Sequence, residues 1–227
     1  KINYGIEGVI NDVQSIGVDE DILMNTTAPG ATRYPEATWS SYAAYINYDH
    51  RFSDKVNVQV GSRFNHFDLN AVYDTTFYPI PFTDVKSNNG SLTGSLGVVY
   101  RPNMTTALMA NVSTGFRAPN VDDSGKVFDA VAGFVTVPNQ DLRAEYAYNA
   151  EIGLVKVFSD VIRVDLNFYY TRLNDALVKR PFRLNGLDSI LYNGTMSKVE
   201  AIQNAALATV KGCSAGIEIK PGLGFTL

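Results

Sequence analysis

A net charge of −4 over 227 residues excludes the basic surface that a nucleic-acid-binding protein presents. The single cysteine, Cys213, excludes an intrachain disulfide, and the length allows one large domain or two small ones. No apolar run approaches the roughly 18 residues of a membrane-spanning helix, whereas the strands of a membrane barrel leave a much weaker signal in a sequence.

In chain order, the predicted elements are strands in which apolar and polar residues alternate with period two. The chain begins inside a strand and then passes through a polar segment at about 11–35. Two alternating strands follow, joined by the short turn Ser53-Asp54-Lys55, which has hairpin chemistry. The predicted strands cover about residues 2–8, 37–52, 56–66, 90–101, 104–117, 144–154, 162–171 and 213–220.

The hairpin at 90–117 shows the pattern best. Its even positions include Leu96, Val98 and Val112, while most of its odd positions carry polar residues or glycine, such as Ser95 and Asn111. The alternation holds for about a dozen residues in each strand, roughly twice the usual strand length of a soluble domain.

The connections between the strands follow a strict order. Tight turns at Asp54, Asn103, Asp160 and Gly222 alternate with long segments, at about 11–35, 70–89, 118–143 and 174–207. Because each strand reverses direction, the tight turns share one end of the sheet and the long segments share the other. This layout is typical of an outer-membrane barrel.

The sequence therefore predicts an all-β fold, an antiparallel up-and-down transmembrane β-barrel. Aromatic residues near the strand ends favour it over a soluble sandwich, because they resemble the interfacial girdles of a membrane barrel. The opposite strand face carries charged and amide side chains that suit a wet or plugged lumen, where a satisfied polar network is expected rather than acid–base catalysis. The charges in question are Arg63, Glu151, Arg163, Asp165 and Glu218.

Two sequence motifs lie at the two ends of the predicted long connection at about 118–143. STGFRAPN lies at 113–120, and VPNQDLRAEYAYNAEIGL lies at 137–154. Together they resemble the barrel of TonB-dependent outer-membrane receptors, which typically show a GFRAP-like strand end and then N-x-x-L-x-x-E leading into a strand with E-x-G. The matching residues are Gly115, Phe116, Arg117, Ala118, Pro119, Asn139, Leu142, Glu145, Glu151 and Gly153.

The motif is interpreted as barrel architecture. Pro119 cannot donate a ladder hydrogen bond, which suits the point where strand pairing ends. Phe116 is expected on the apolar face near the loop-side membrane border, with Arg117 pointing into the lumen or its rim. Ala144 stands where the family commonly has proline. The segment at about 175–206 resembles receptors of Bacteroidetes-type bacteria.

The resemblance implies a receptor in the bacterial outer membrane for TonB-energised uptake of a scarce nutrient, such as an iron chelate, cobalamin or an oligosaccharide. Its implied partners are outer-membrane lipid, the nutrient and TonB, which acts through a plug. Residues 1–227 are expected to be part of one barrel domain of about 22 strands, without the plug. A porin-like or small structural barrel and a soluble β-rich binding or adhesion domain are the alternatives.

Residues that recognise a ligand are expected among the aromatics of the long connections, although packing of loops against one another is the alternative. These candidates are Phe77, Tyr78, Phe82 and Tyr192. No catalytic motif, cofactor fingerprint or metal-ligand spacing is recognised, and His50 and His66 are interpreted as interfacial residues of the apolar face.

Overall fold

Antiparallel strands account for most of the chain in a computed structural model, which describes residues 1–32, 34–76, 83–124, 131, 133–159, 161–192 and 194–220. One short helix, α1, interrupts them. The elements are β1 Ile2–Val13, β2 Gly17–Asp21, β3 Thr26–Gly30, β4 Glu36–Arg51, β5 Val56–Val72, β6 Asp84–Asn103, β7 Thr106–Arg117, α1 Val121–Ser124, β8 Phe134–Thr136, β9 Glu145–Phe158, β10 Ile162–Pro181, β11 Ser189–Tyr192 and β12 Thr195–Ile219.

The main sheet has ten strands within the described residues, and its spatial order is β1-β4-β5-β6-β7-β9-β10-β12-β11. These neighbours are antiparallel, while the short β8 pairs in parallel with β12, and β2 and β3 form a separate hairpin. The predicted up-and-down arrangement is therefore confirmed. No helix in the described part of the chain is long and apolar enough to cross a membrane.

Three of the predicted tight turns lie at one end of the sheet, which we call the turn end. Only four residues separate β4 from β5, two separate β6 from β7, and three separate β9 from β10. The fourth predicted turn, at 221–222, lies outside the described residues. The opposite end, called the loop end, receives the longer connections.

One face of the sheet, called the outer face, is apolar and largely exposed. Its residues stand opposite one another from strand to strand, as Val60, Leu96 and Val112 do. Aromatic side chains occur toward the ends of the apolar band. At the turn end, the Tyr48 hydroxyl and the His50 ring share a 2.8 Å hydrogen bond. Large exposed side chains of this face include Ile46, Phe64, Leu92, Tyr100, Leu108, Tyr148, Ile152, Phe158, Phe168, Tyr170 and Ile217.

The other face, called the inner face, carries a polar network, as predicted. Arg163 binds Asp165 at 2.9 Å, and Asn149 donates to Glu151 at 2.9 Å. Asn149 also accepts a 2.6 Å hydrogen bond from the Thr171 hydroxyl on the neighbouring strand. These contacts satisfy charged and amide groups within the sheet.

Several strands are longer than predicted. β5 and β6 extend into the two ends of the predicted connection at 70–89, and β10 and β12 cover most of 174–207. The outer face of these extensions is polar: Asn88 donates to Asp68 at 2.5 Å, and His66 lies 3.2 Å from Asp68. Beyond the apolar band the alternation therefore changes parity along β5, where Phe67, Leu69 and Ala71 lie buried on the inner face, and the strand ladder continues.

An apolar core lies at the loop end of the inner face. Ala71 and Val85, from β5 and β6, belong to the same buried cluster as Val135 and Val199, from β8 and β12. Leu184 and Tyr192 complete this side of the cluster. The inner face is thus polar along most of the sheet and apolar where the connections fold over it.

Candidate functional site

A cavity of about 750 Å³ lies at the loop end of the inner face. Its walls come from β1, β4 and β5, from the end of β7 and the segment that follows it, and from the residue Tyr34 before β4. The contributing residues of the first three strands have odd numbers, as expected for one face of a period-two strand. We take this cavity as the candidate ligand site in the part of the chain that the structure describes.

Aromatic side chains form one part of the cavity wall. Trp39 and Phe67 come from the inner faces of β4 and β5, and Tyr34 precedes β4. The ring of Phe116 stacks on Phe67 with 6.2 Å between centroids and 10° between planes. The cavity thereby combines several flat apolar surfaces.

The position of Phe116 differs from the expectation that it belongs wholly to the outer, apolar face. The ladder between β6 and β7 runs as far as Ser95 opposite Ser113, and beyond it β7 continues its pairing with β9. This divergence brings the Phe116 ring to Phe67, while the ring also lies 6.5 Å from Tyr146. Phe116 consequently contributes to the cavity.

Arg117, next to Phe116, lines the cavity and anchors the segment after β7. Its guanidinium binds both carboxylate oxygens of Asp123, at 2.7 and 2.8 Å, and lies 3.5 Å from Glu145. Glu145 also accepts a 2.8 Å hydrogen bond from the backbone N–H of Leu177. Burial by itself would lower the pKa of Arg117, but the hydrogen bonds and charges of Asp123 and Glu145 raise it above its ordinary value.

The remaining motif residues also have architectural positions. The Asn139 side-chain amide donates to the carbonyl of Ile202 at 2.8 Å, which ties the segment before β9 to β12. Leu142 is 3% exposed, and Pro119 is fully buried directly after β7. The structure therefore brings both halves of the motif to the loop end, where they fasten connections to the sheet.

A second arginine, Arg63, lies beside the cavity, and its guanidinium also contacts neighbouring side chains. It lies 3.2 Å from the Glu7 carboxylate and donates to Asn65 at 2.6 Å. Asn65 in turn donates a long, 3.4 Å hydrogen bond to Ser41. Glu7, Asn65 and Ser41 all line the cavity.

Of the four loop aromatics predicted to bind a ligand, the structure describes only Tyr192. Phe77, Tyr78 and Phe82 lie outside the described residues. Tyr192 ends β11 and is 7% exposed within the apolar cluster, a position that favours the packing alternative. A ligand contact by these four residues stays a prediction.

Sequence reasoning missed Trp39 and Phe67 as candidate site residues. Their signal was a change of parity, because large apolar side chains appear toward the loop end on a face that carries mostly polar residues toward the turn end. Among the described residues, no group of three or more His, Cys, Asp or Glu side chains is placed to hold a metal ion.

Comparison with known proteins decides the family. The family model described as "TonB dependent receptor-like, beta-barrel" matches residues 10–218. The chain belongs to this family. Its members are receptors and transporters of the bacterial outer membrane. No curated protein matches the sequence.

Solved structures share the fold of this TonB-dependent receptor-like chain. The hemophore receptor HasR of Serratia marcescens, crystallised as a double mutant with HasA and heme, has a TM-score of 0.73 and 15% identity over 96% of this chain and 36% of its own. The copper transporter OprC has a TM-score of 0.74 and 13% identity over 99% and 33%. The iron transporter FrpB of Neisseria meningitidis has a TM-score of 0.64 and 18% identity over 97% and 30%. The chain thus spans about a third of each neighbour's length.

Proposed function

We propose that this chain forms part of the barrel wall of an outer-membrane receptor that takes up a scarce nutrient with energy supplied through TonB. The observation that carries the proposal is the continuous outer face of exposed apolar side chains, backed by a polar inner face, in a chain of this family. Such a pair of faces suits a wall between lipid and an aqueous or plugged lumen.

In this proposal residues 1–227 belong to one barrel domain, and the plug that TonB engages is contributed from outside them. The outer face contacts outer-membrane lipid, and the loop end faces the nutrient. Three of the solved neighbours are named for heme, copper or iron. Identities of 13 to 18% support a shared fold and leave the nutrient of this receptor to be found by experiment.

The test measures uptake in cells that produce the full receptor, with and without an intact tonB gene. The probes are radiolabelled ferric citrate, cyanocobalamin and maltohexaose, and one of them should enter at a rate that falls to background when TonB is absent. Uptake that is independent of TonB would instead indicate the porin-like alternative. Recovery of the protein in the detergent-free soluble fraction would indicate the soluble binding or adhesion alternative.

A further inference from the structure

Two basic side chains lie on the outer face of the sheet, at the loop end of its apolar band. Arg172 belongs to β10 and Lys211 to β12, and both are exposed. In the antiparallel ladder Arg172 stands opposite Thr209, two residues from Lys211, so the two cations are diagonal neighbours on one face. Diagonal neighbours in an antiparallel pair lie about 7 to 8 Å apart, which is within reach of long side chains.

Both cations keep hydrogen-bond donors free for a ligand. The Arg172 Nε donates to the Asn174 side-chain oxygen at 3.0 Å, and its two terminal nitrogens form no hydrogen bond with the described residues. The Lys211 ammonium has neither a hydrogen bond nor an ion pair within the described part of the chain. Together they can offer several N–H donors and two positive charges to one acceptor group.

No carboxylate offsets these charges on the same face. The outer-face positions that surround the pair in the ladder are Tyr146, Tyr148, Ala150, Ile152, Phe168, Tyr170, Asn174, Thr209 and Cys213. The acidic residue closest in sequence, Asp175, lies at a bulge of β10 and forms no ion pair with the described residues. The charge of this patch therefore favours an anionic ligand.

The apolar surroundings indicate what carries the anion. Tyr148 and Tyr170 flank Arg172 with exposed rings, and Phe168 and Ile152 continue the exposed apolar surface toward the turn end. A free phosphate ion would contact only the cations. A lipid phosphate would also lay its acyl chains on the apolar band, so it suits both parts of the patch.

We infer that Arg172 and Lys211 bind the phosphate of an anionic membrane lipid whose acyl chains lie on the apolar band beside them. The inference rests on the proposed function in placing the outer face in the membrane, and it adds a partner of stated chemistry. The planar fork of Arg172 can donate two parallel hydrogen bonds to one phosphate, while Lys211 supplies a compact positive charge.

Cys213 provides a reporter beside the patch, because it is the only cysteine among these 227 residues and is exposed two residues from Lys211. The full receptor, with serine at any cysteine outside these residues, is labelled there with bimane and folded into vesicles of acyl-chain spin-labelled phosphatidylcholine. The spin label quenches bimane from lipid on the surrounding surface. Part of this lipid is then replaced by unlabelled phosphatidic acid or, as the reference, by unlabelled phosphatidylcholine, which gives the relative binding constant of phosphatidic acid.

A matched pair of double variants locates the site. The unmodified receptor should prefer phosphatidic acid about tenfold or more, because each basic residue strengthens the binding of an anionic lipid. Arg172→Gln combined with Lys211→Gln should abolish this preference. The control, Lys86→Gln combined with Arg163→Gln, removes two cations that carboxylates already bind, at 3.1 and 2.9 Å, and it should keep the preference.

Three results would overturn the inference. The first is the absence of a preference in the unmodified receptor, and the second is a preference that survives the loss of Arg172 and Lys211 or disappears equally in the control. The third is displacement of phosphatidic acid by inorganic phosphate, beyond the effect of sodium chloride at the same ionic strength. That result would assign the two cations to a free ion.

Failure of the proposed function gives a different result. Bimane at Cys213 that spin-labelled phosphatidylcholine does not quench would show that the outer face lies outside the membrane. Quenching without a preference between the two lipids refutes only the phosphate site. Equal quenching of both double variants in phosphatidylcholine alone shows that they fold into the vesicles alike.

Discussion

An arginine in place of Leu96 is the sharpest test of the two faces of the sheet. Leu96 is 45% exposed on the outer face of β6, and it lies four residues from Leu92 and four from Tyr100. With a rise of about 3.4 Å per residue and a tilt of about 45°, each four-residue step covers about 10 Å along the membrane normal. Leu96 is therefore near the centre of an apolar band about 25 Å tall.

A guanidinium at that depth should lower the free energy of unfolding by about 2 to 4 kcal/mol. The matched control is Gly97→Arg, which places the same side chain on the inner face, where the nearest atom to a new Cβ is the Asn111 Oδ1 at 3.6 Å. Urea titration of the receptor folded in phospholipid vesicles measures both variants. Equal losses of stability in the two variants would refute the assignment of the outer face to lipid.

Two further predictions concern packing. Arg117→Ala should lower the free energy of unfolding by about 1 to 2 kcal/mol, because Asp123 and Glu145 would lose their guanidinium; an unchanged urea midpoint contradicts this. Gly212→Ala should cost about 1 to 2 kcal/mol, since the Tyr169 hydroxyl lies 2.5 Å from the position of the new Cβ. That cost should disappear in a Tyr169→Ala background, which a double-mutant cycle measures, and a cost that persists there contradicts it.

The sheet could be predicted because one physical rule governs it. An apolar face on one side and a polar face on the other impose period two, so the strand faces and tight turns could be read from residues such as Leu96 and Asn111. The rule fails where the apolar outer face ends. Beyond Leu92, β6 continues through Asn88 and Lys86 to Asp84, and its strand hydrogen bonds persist without a hydrophobic pattern to reveal them.

The cavity could not be located from alternation alone, since two of its features are tertiary. β7 separates from β6 beyond Ser113, which turns Phe116 toward Phe67, and no local signal in the sequence marks that separation. The connections that cover the loop end are fastened by contacts between distant residues. Asn139 with the Ile202 carbonyl is one example, at a separation of 63 residues.

Exceptions to the alternation are nevertheless informative, because a barrel wall needs large aromatics on the lipid side and at its two borders, but not on the polar side. Trp39 and Phe67 occupy the polar side of adjacent strands, and both line the same cavity. An aromatic side chain on the inner face must instead pack against a neighbouring strand, a connection or a ligand. Phe67 is 1% exposed and stacks on Phe116 of β7, while Trp39 packs against the apolar cluster of the loop end and also lines the cavity.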